Sequence, residues 1–426
     1  MPVTCVFGAQ WGDEGKGKVV DFLAARAAYV VRYQGGANAG HTIRRGEEKF
    51  ALRMTPSGVL QNATGVIANG VAVDVGVLLS EIEFLESKGI PASRRIVVSD
   101  RAHLVLPFHP LLDQALDASR DETWKIGTTG RGVSTTIGDK HLYEGFRVAD
   151  LLSPTVRRTR LPYLLERGRQ RLEAMGAPSF DTAAALAEAE VWATRLAPMV
   201  RDTAWLLQEA AEAGRTILLE GAQAALLDVD FGTYPFCTTS NTGVAGACAG
   251  TGLPPRALDR VLAVAKAYCT RVGRGPFPTE DEGAVGATLR ERGREFGTVT
   301  GRPRRCGWFD AVAARHVCRF NGVDAVAITK IDVLVGIDPL RVCVAYEADG
   351  RKVESFPADI DLLQRCRPVY EELPGFTEPL GAARRPSDLP ARAREYVTFL
   401  ERRIGARVEL LSVGPERTET VALKAT

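Results

Sequence analysis

The sequence contains no long run of uncharged apolar residues, and no apolar stretch follows a basic segment near residue 1. A membrane-spanning helix needs about 20 mainly apolar residues, and a secretory leader has a basic segment before its apolar core. We therefore expect neither a membrane span nor a leader, and we expect the protein to work in the cytoplasm.

A surplus of charge of either sign is also missing. The 54 lysines and arginines exceed the 52 aspartates and glutamates by only two in a chain of 426 residues. Proteins that bind nucleic acids or membrane surfaces through bulk charge carry a stronger imbalance. We expect small-molecule partners, and neither a nucleic acid nor a membrane.

Paired cysteines are absent as well. None of the eight cysteines forms a CxxC pair, and none stands near a histidine at zinc-finger spacing. Several lie inside apolar runs such as VTCVFG and RVCVAY. The pattern favours buried, reduced thiols that pack as small apolar side chains.

Tandem repeats and long linkers are lacking, whereas short apolar runs that end on glycine or polar residues recur at 3–7, 29–33, 216–219 and 324–329. The first two flank a helical pattern, and strand, helix, strand is the βαβ unit of a parallel sheet. We predict one α/β domain over residues 1–426, with a large, mainly parallel sheet and helices on both faces. A helix-rich insertion is expected at about 150–215, where the arginine-rich stretch RRTRLPYLLERGRQR is typical of a solvated helix face.

Polar motifs follow these predicted strands, and parallel strands place ligands beyond their carboxyl ends. The first motif is GAQWGDEGKGK, whose residues 12–18 fit the phosphate-binding pattern G-x-x-x-x-G-K. Val19 stands where that pattern has the Ser or Thr that holds magnesium. Backbone N–H groups at the start of the next helix, with Lys16 and Lys18, favour a phosphate site, and Asp13 could supply the missing magnesium ligand.

Three further segments indicate chemistry. His41 lies in an NAGHT turn and has a suitable ordinary pKa for acid catalysis, whereas the other four histidines are expected to be structural. The TKID segment, with Lys330 and Asp332, is similar to the guanine-reading element of GTP-binding proteins. The stretch GTVTGRPRR at 297–305 is either an anion clamp or a solvated basic loop.

Together these segments resemble the adenylosuccinate synthetase family over almost the whole chain. The resemblance is carried, in the family's order, by GAQWGDEGKGK, RYQGGANAGHT, IGTTGRG, LLEGAQ with DFGTYPF, TRVGRGPFPTE, TGRPRRCGWFD, TKIDVL and SVGPERTET. Members of the family use GTP to phosphorylate O6 of IMP, and the amine of aspartate then displaces that phosphate. The resemblance implies Mg²⁺ as cofactor, a single large α/β domain with a P-loop-like nucleotide site, and a homodimer.

The resemblance also implies catalytic roles. Asp13 would take the N1 proton of the purine and bind Mg²⁺, with the Gly40 carbonyl as a further metal ligand. His41 would donate to the transferring phosphoryl group, and Gln223 would donate to O6 as charge grows there. Lys16 would neutralise the phosphates.

Binding residues are implied for each of the three substrates. GTP contacts are expected from Gly12, Glu14, Gly15, Lys16, Gly17, Lys18, Gly40, His41, Thr42, Arg304, Lys330, Ile331, Asp332, Ser412, Val413 and Gly414. Contacts with the acceptor nucleotide are expected from Asp13, Asn38, Ala39, Thr129, Gln223, Thr238, Val272 and Arg302. Contacts with aspartate are expected from Thr298, Val299, Thr300, Gly301, Arg302 and Arg304.

The chain departs from the family pattern on the acceptor side. After TTGRG the family usually continues IGPxYxDKxxRxGxR, but here Ser134-Thr135 replaces Gly-Pro, Ile137 replaces tyrosine and Tyr143 replaces arginine. In the family that arginine reaches across the dimer to the substrate phosphate. Losing one charge-assisted contact weakens binding about ten- to hundredfold unless another group compensates. His141 and Lys140 are the candidates.

Two smaller departures adjoin the O6 glutamine, where Ala224-Ala225 replaces Gly-Thr and Phe231 replaces histidine. Three interpretations follow. The chain is an ordinary synthetase with a drifted phosphate contact, or a paralogue that attaches aspartate to a modified or analogue purine nucleotide or nucleoside. The third is a non-catalytic guanine-nucleotide-binding protein, which the intact Asp13, His41 and Arg304 positions disfavour.

Overall fold

The computed structural model describes residues 3–45, 48–297 and 301–423. These residues form 21 strands and 13 α-helices joined by short 3₁₀ turns. The strands, in chain order, are β1 (Val3–Gly8), β2 (Tyr29–Arg32), β3 (Gly35–Gly36), β4 (His41–Arg45), β5 (Glu48–Leu52), β6 (Thr64–Ile67), β7 (Val71–Val73), β8 (Ile96–Ser99), β9 (His103–Leu104), β10 (Val200–Arg201), β11 (Ile217–Glu220), β12 (Arg260–Lys266), β13 (Cys269–Arg271), β14 (Arg305–Gly307), β15 (Phe309–Asp310), β16 (Ala325–Thr329), β17 (Leu340–Ala348), β18 (Arg351–Val353), β19 (Arg367–Leu373), β20 (Arg407–Ser412) and β21 (Thr420–Ala422).

The helices cover the sheet and build the middle of the chain. In chain order they are α1 (Lys16–Ala24), α2 (Val75–Ser87), α3 (Phe108–Ala118), α4 (Val133–His141), α5 (Val148–Leu152), α6 (Pro154–Ala174), α7 (Thr182–Leu196), α8 (Thr203–Glu212), α9 (Val244–Thr251), α10 (Ala284–Gly293), α11 (Ala311–Asn321), α12 (Ile360–Arg365) and α13 (Ala391–Ile404).

A ten-stranded sheet forms the centre of the molecule, in the order β10-β8-β6-β2-β11-β1-β12-β16-β20-β21. Every neighbouring pair is parallel except β20–β21, which is antiparallel. The four strands predicted from apolar runs are β1, β2, β11 and β16, and they lie together with β12 in the middle of this order. The prediction of a large, mainly parallel sheet is confirmed.

Both faces of the sheet are covered by helices because side chains along each strand alternate between them. On β1, Cys5 and Phe7 belong to the core shared with α11 and α13, whereas Val6 packs with Val19 and Val20 of α1 on the other face. A separate core joins α2, α3, α6 and α7 at the β6–β8 end of the sheet. Strand β1 is therefore packed against helices on both faces of the sheet.

Residues 148–212 contain four helices, α5 to α8, with the short β10 between them, as the composition predicted. All eight cysteines are free, and six of them are buried. None of the helices in the described ranges is long and apolar enough to cross a bilayer. That residues 1–426 form one domain stays a prediction.

Candidate active site

A cleft of about 1290 Å³ opens at the carboxyl edge of the sheet. The loops that follow β1, β11, β16 and β20 meet there, because the carboxyl ends of parallel strands share one edge. The predicted site residues that line the cleft are Gly12, Asp13, Gly15, Lys16, Gly17, Lys18, Asn38, Ala39, Gly40, Thr129, Gln223, Thr238, Val272, Arg304, Lys330, Asp332, Ser412 and Gly414. The structure thus brings together segments from all parts of the sequence.

The remaining predicted residues divide into two groups. The side chains of His41 and Thr42, and all of Thr298, Val299 and Thr300, lie outside the part of the chain that the structure describes. Among the described residues, Glu14, Gly301, Arg302, Ile331 and Val413 are not part of the cleft lining. The side chain of Arg302 is exposed, whereas Ile331 and Val413 are buried.

The glycine loop after β1 is organised around the buried carboxylate of Glu14. Its Oε1 accepts hydrogen bonds from the backbone of Gly12 at 2.8 Å and of Gln10 at 3.2 Å. Its Oε2 pairs with Lys16 Nζ at 2.6 Å. Gly8 is needed beside it, because a Cβ at that position would lie 2.4 Å from Glu14 Oε2. The Glu14 side chain therefore braces the loop, and only its backbone can face a nucleotide.

The next feature is the pairing of Asp13 with Arg304 in front of α1. Asp13 has a left-handed backbone (φ 60°), and its side chain is one-third exposed to the cleft. Arg304 Nε lies 2.8 Å from Asp13 Oδ2, although the two are not aligned for a hydrogen bond. Gly15 (φ 81°) caps α1, whose free N–H groups point into the same space. A carboxylate, a guanidinium and an anion-binding helix end meet here.

Gln223 also has a left-handed backbone (φ 49°), and Gln34 holds it in place. Gln34 Nε2 donates to the Ala222 carbonyl at 2.8 Å and to Gln223 Oε1 at 3.2 Å, and Gln34 Oε1 accepts from Ala222 N–H at 3.0 Å. Gln223 Nε2 donates to Asn38 Oδ1 at 3.0 Å. Gln34 is not among the predicted site residues, although it lies inside the RYQGGANAGHT segment.

The opposite end of the cleft carries the TKID and SVG segments. Lys18 Nζ donates to Ser412 Oγ at 2.7 Å and to the Gly414 carbonyl at 2.6 Å. Burial lowers the pKa of Lys18 to about 8 and raises the pKa of Asp332. Lys330 adopts φ 57° and turns its ammonium to the Gly293 carbonyl at 2.7 Å and to Glu295 at 2.7 Å. Glu295 is a contact that no sequence motif indicated.

One wall of the cleft is formed by α3, α4 and the loop between them. Asp113 accepts from Thr128 Oγ1 at 2.8 Å and from Ser134 Oγ at 2.6 Å, which holds the TTGRG loop to α3. Trp124 of the same loop stacks on Phe236 of the cleft lining, with ring centroids 6.3 Å apart and planes 12° apart. Ser134, which departs from the family pattern, thus helps to attach α4 to α3 through Asp113.

The expectation that the arginine-rich stretch is only a solvated face is wrong at its last residue. Arg171 of α6 lines the cleft and pairs with the buried Asp139 at 2.8 and 2.9 Å. The Leu106 N–H donates to His109 Nδ1 at 2.8 Å, so His109 must donate through Nε2 to Asp139, at 3.1 Å. Burial lowers the pKa of His109 and would raise that of Asp139, but hydrogen bonds from His109 and Arg171 hold the latter below its ordinary value.

Three other departures from the family pattern lie at Tyr143, at Ala224-Ala225 and at Phe231. Tyr143 follows α4 with φ 64°, and its side chain is 90% exposed, so it points away from the cleft of its own chain. Ala224 and Ala225 are buried, which fits their small size. Phe231 is half-exposed and packs against Phe320 with a centroid distance of 5.1 Å.

The chain matches known proteins along its whole length. A family model described as adenylosuccinate synthetase matches residues 5–421. The chain is 48% identical over 426 residues to adenylosuccinate synthetase of Gloeobacter violaceus, covering 100% of this chain and 96% of that protein. It is 47% identical over 427 residues to the Moorella thermoacetica synthetase, with 100% of both chains covered.

Solved structures give the same result. Fully ligated adenylosuccinate synthetase from Plasmodium falciparum superposes with a TM-score of 0.95 and 34% identity, covering 100% of both chains. Succinoaminodeoxyadenylate synthetase of cyanophage S-2L, solved with dGMP and dATP, has a TM-score of 0.64 and 21% identity, covering 100% of this chain and 96% of that one. At that identity the second likeness concerns the fold alone.

Proposed function

The chain belongs to the adenylosuccinate synthetase family, and we propose that its cleft joins L-aspartate to C6 of IMP in two steps driven by GTP. In the first step the purine O6 forms a bond to the γ-phosphorus of GTP, and GDP leaves. In the second step the aspartate nitrogen attacks C6, and phosphate leaves with O6. The products are adenylosuccinate, GDP and phosphate, so the protein is a ligase of purine biosynthesis.

The observation that carries this proposal is the meeting of Asp13, the α1 N-terminus and Arg304 at one point of the cleft. Phosphoryl transfer depends mainly on positioning and on charge stabilisation, and these groups supply both. Asp13 takes the N1 proton, which makes O6 the nucleophile. The N–H groups at the start of α1 hold the GTP phosphates, and Lys16 neutralises them.

The remaining catalytic roles follow the resemblance. Gln223 donates to O6, and its orientation by Gln34 and Asn38 supports that role. His41 donates to the transferring phosphoryl group. Its backbone begins β4, directly after Gly40 at the cleft.

The residues present fit a magnesium ion. Mg²⁺ is usually bound by one or two protein oxygens together with substrate phosphates and waters. Asp13 offers a partly exposed carboxylate, and the space beside Gly40 is open, since a Cβ there would meet nothing within 4 Å. Across the described ranges no three carboxylate, histidine or cysteine groups gather as a metal cage. Asp13 and the Gly40 carbonyl would hold the ion, which would neutralise charge on the phosphates.

The two nucleotides occupy opposite ends of the cleft in this proposal. Lys330 and Asp332 contact guanine, and Lys18 shapes that end through Ser412 and Gly414. At the other end, IMP contacts Asn38, Ala39, Thr129, Thr238 and Val272 in addition to Asp13, Gln223 and Arg302.

Aspartate binds between the nucleotides, at residues 298–302 and at Arg304. Arg304 lines the cleft, and its guanidinium supplies a positive charge and N–H donors for a carboxylate. We further propose that the protein works in the cytoplasm as a homodimer. In that dimer the exposed Tyr143 faces the substrate phosphate of the partner subunit.

The alternative of a changed acceptor is not favoured, because synthetases of the family are 47–48% identical over the full chain. The test is a steady-state assay with GTP, Mg²⁺, aspartate and IMP, with the product identified by mass. We expect turnover of IMP with a micromolar KM. Little activity with IMP, together with clean aspartate addition to inosine or to another purine nucleotide, would overturn the proposal. Asp13→Ala should abolish turnover, and a variant that lost turnover but kept its full biological activity would point to a non-catalytic role.

A further inference from the structure

Glu295, in the loop after α10, is a fully buried carboxylate that contacts two cleft-lining cations, Lys330 and Arg304. Its Oε1 lies 3.0 Å from Lys266 Nζ and 2.7 Å from Lys330 Nζ, and it accepts from the Tyr268 hydroxyl at 2.6 Å. Its Oε2 accepts from Arg304 Nη1 at 2.7 Å. One side chain therefore contacts the proposed guanine-reading lysine and the proposed aspartate-binding arginine.

Three cations surround the Glu295 carboxylate. Lys266, Lys330 and Arg304 lie against it, while Arg304 also faces Asp13 and Lys330 also acts on Asp332. Burial would raise the pKa of Glu295, but the three cations outweigh it and hold that pKa well below its usual range. The carboxylate therefore stays charged and holds the two cleft-lining cations beside it.

Arg304 is held at two places by the same residue. Its backbone N–H donates to the Glu295 carbonyl at 2.9 Å, and its Nη1 donates to the Glu295 carboxylate. The Nε end of the guanidinium lies against Asp13. Glu295 thus fixes one end of the guanidinium while its other end lies against Asp13.

We propose that Glu295 is a positioning residue that serves two substrates at once. It holds the Lys330 ammonium beside the proposed guanine site, and it holds the Arg304 guanidinium beside the proposed aspartate site. The inference rests on the proposed function, since aspartate and GTP are the ligands of these two side chains. It also makes the two subsites interdependent through a single carboxylate.

The test is Glu295→Gln, which keeps the size of the side chain but removes its charge and replaces one of its two acceptor oxygens by an N–H donor. We expect the KM values for aspartate and for GTP each to rise about tenfold or more, because both positioned cations lose a charge-assisted partner. The KM for IMP should stay within about twofold, since in the described part of the chain Glu295 forms no hydrogen bond or ion pair with Asn38, Thr129 or Gln223. A simple loss of folded protein lowers the amount of active enzyme but leaves all three KM values unchanged.

Two further variants separate positioning from stability. Glu295→Gln combined with Lys266→Gln restores the wild-type charge balance, so we expect the melting temperature to recover while the KM values for aspartate and GTP remain raised. Tyr268→Phe removes the neutral donor to the same oxygen, and we expect it to leave these KM values unchanged. Wild-type KM values for aspartate and GTP in the double variant would overturn the inference.

Calorimetry with GDP and succinate, a dicarboxylate without the reacting amine, makes the inference independent of turnover. Weaker binding of both probes to Glu295→Gln than to wild-type protein supports the positioning role, even if IMP proves not to be the acceptor. Equal binding of both probes to the two proteins would overturn it. If the wild-type protein does not turn over IMP, the proposed function is wrong, but the positioning role of Glu295 is still tested by the binding of these two probes.

Discussion

At the scale of single residues, Gln34 shows how a side chain outside the reaction can determine the geometry of one inside it. Its amide is buried and satisfies both backbone groups of Ala222 while touching Gln223. Gln223 needs that support because its left-handed backbone is uncommon for a residue with a side chain. Positioning of this kind is invisible in a motif, because it depends on a contact across 189 residues of sequence.

Gln34→Met should lower both stability and turnover. The substitution keeps the volume of the side chain but leaves the Ala222 N–H and C=O buried without a partner, at a cost of about 1–3 kcal/mol for each unsatisfied group. We expect a lower melting temperature and a kcat reduced about tenfold, with the KM for GTP unchanged. Gln208→Met, at an exposed amide that donates to Gly252, is the matched control and should change neither quantity. Wild-type kcat in Gln34→Met would show that Gln223 is held by its other contacts.

Tyr143→Arg tests the departure on the acceptor side. If residue 143 faces the partner subunit's substrate phosphate, the new guanidinium adds a charge-assisted contact, and the KM for IMP should fall about ten- to hundredfold. Tyr163→Arg places the same charge at another exposed tyrosine, on α6, and should leave the KM for IMP unchanged. An unchanged KM in Tyr143→Arg would mean that the position does not face the phosphate.

At the scale of elements, four central strands and the glycine loop could be predicted because their signals are local. A short apolar run that ends on glycine or polar residues marks a buried strand and its carboxyl end, and β1, β2, β11 and β16 were predicted in this way. The roles of Arg171 and Glu295 could not be predicted. A helical or loop residue enters a cleft only through tertiary packing, and the surrounding composition, rich in arginine or glutamate, is typical of solvated surface.

Gly8→Ala tests the fit between β1 and its loop. The added methyl would lie 2.4 Å from Glu14 Oε2, and Glu14 cannot move without leaving its three donors. We expect a distorted nucleotide loop, a KM for GTP raised about tenfold or more and a lower melting temperature.

Gly76→Ala, inside α2, is the control for that substitution, because a Cβ at Gly76 would lie 3.6 Å from its nearest neighbour, Asp74 Oδ1. It should raise stability by roughly 0.5–1 kcal/mol, because alanine loses less backbone freedom than glycine on helix formation. Both variants are compared by GTP titration and thermal unfolding. A normal KM for GTP in Gly8→Ala would contradict the bracing role of Glu14.

At the scale of the whole molecule, folding buries several histidines that must stay neutral. His103 of β9 is the clearest case, since its side chain is 6% exposed and its Nδ1 has no hydrogen-bond partner among the described residues. Burial lowers its pKa to about 4, and the charges of Lys140, Arg147, Arg160 and His141 act in the same direction. The unfolded chain, with a histidine pKa near 6.5, binds a proton that the folded chain excludes.

The sign of the resulting pH dependence follows from that difference. Stability from the neutral His103 is fully present above pH 6.5 and is lost as the pH falls toward about 4. Asp310 has the opposite effect on stability, because burial raises its pKa to about 6 and its protonation stabilises the folded chain as the pH falls. Two proteins that differ only at position 103 share this effect, so it cancels when they are compared. We therefore expect the free energy of unfolding of wild-type protein to fall by about 1–2 kcal/mol more than that of His103→Asn between pH 7 and pH 5. Urea unfolding of both proteins at the two pH values measures this difference, and parallel losses would mean that His103 takes up its proton in the folded state as readily as in the unfolded chain.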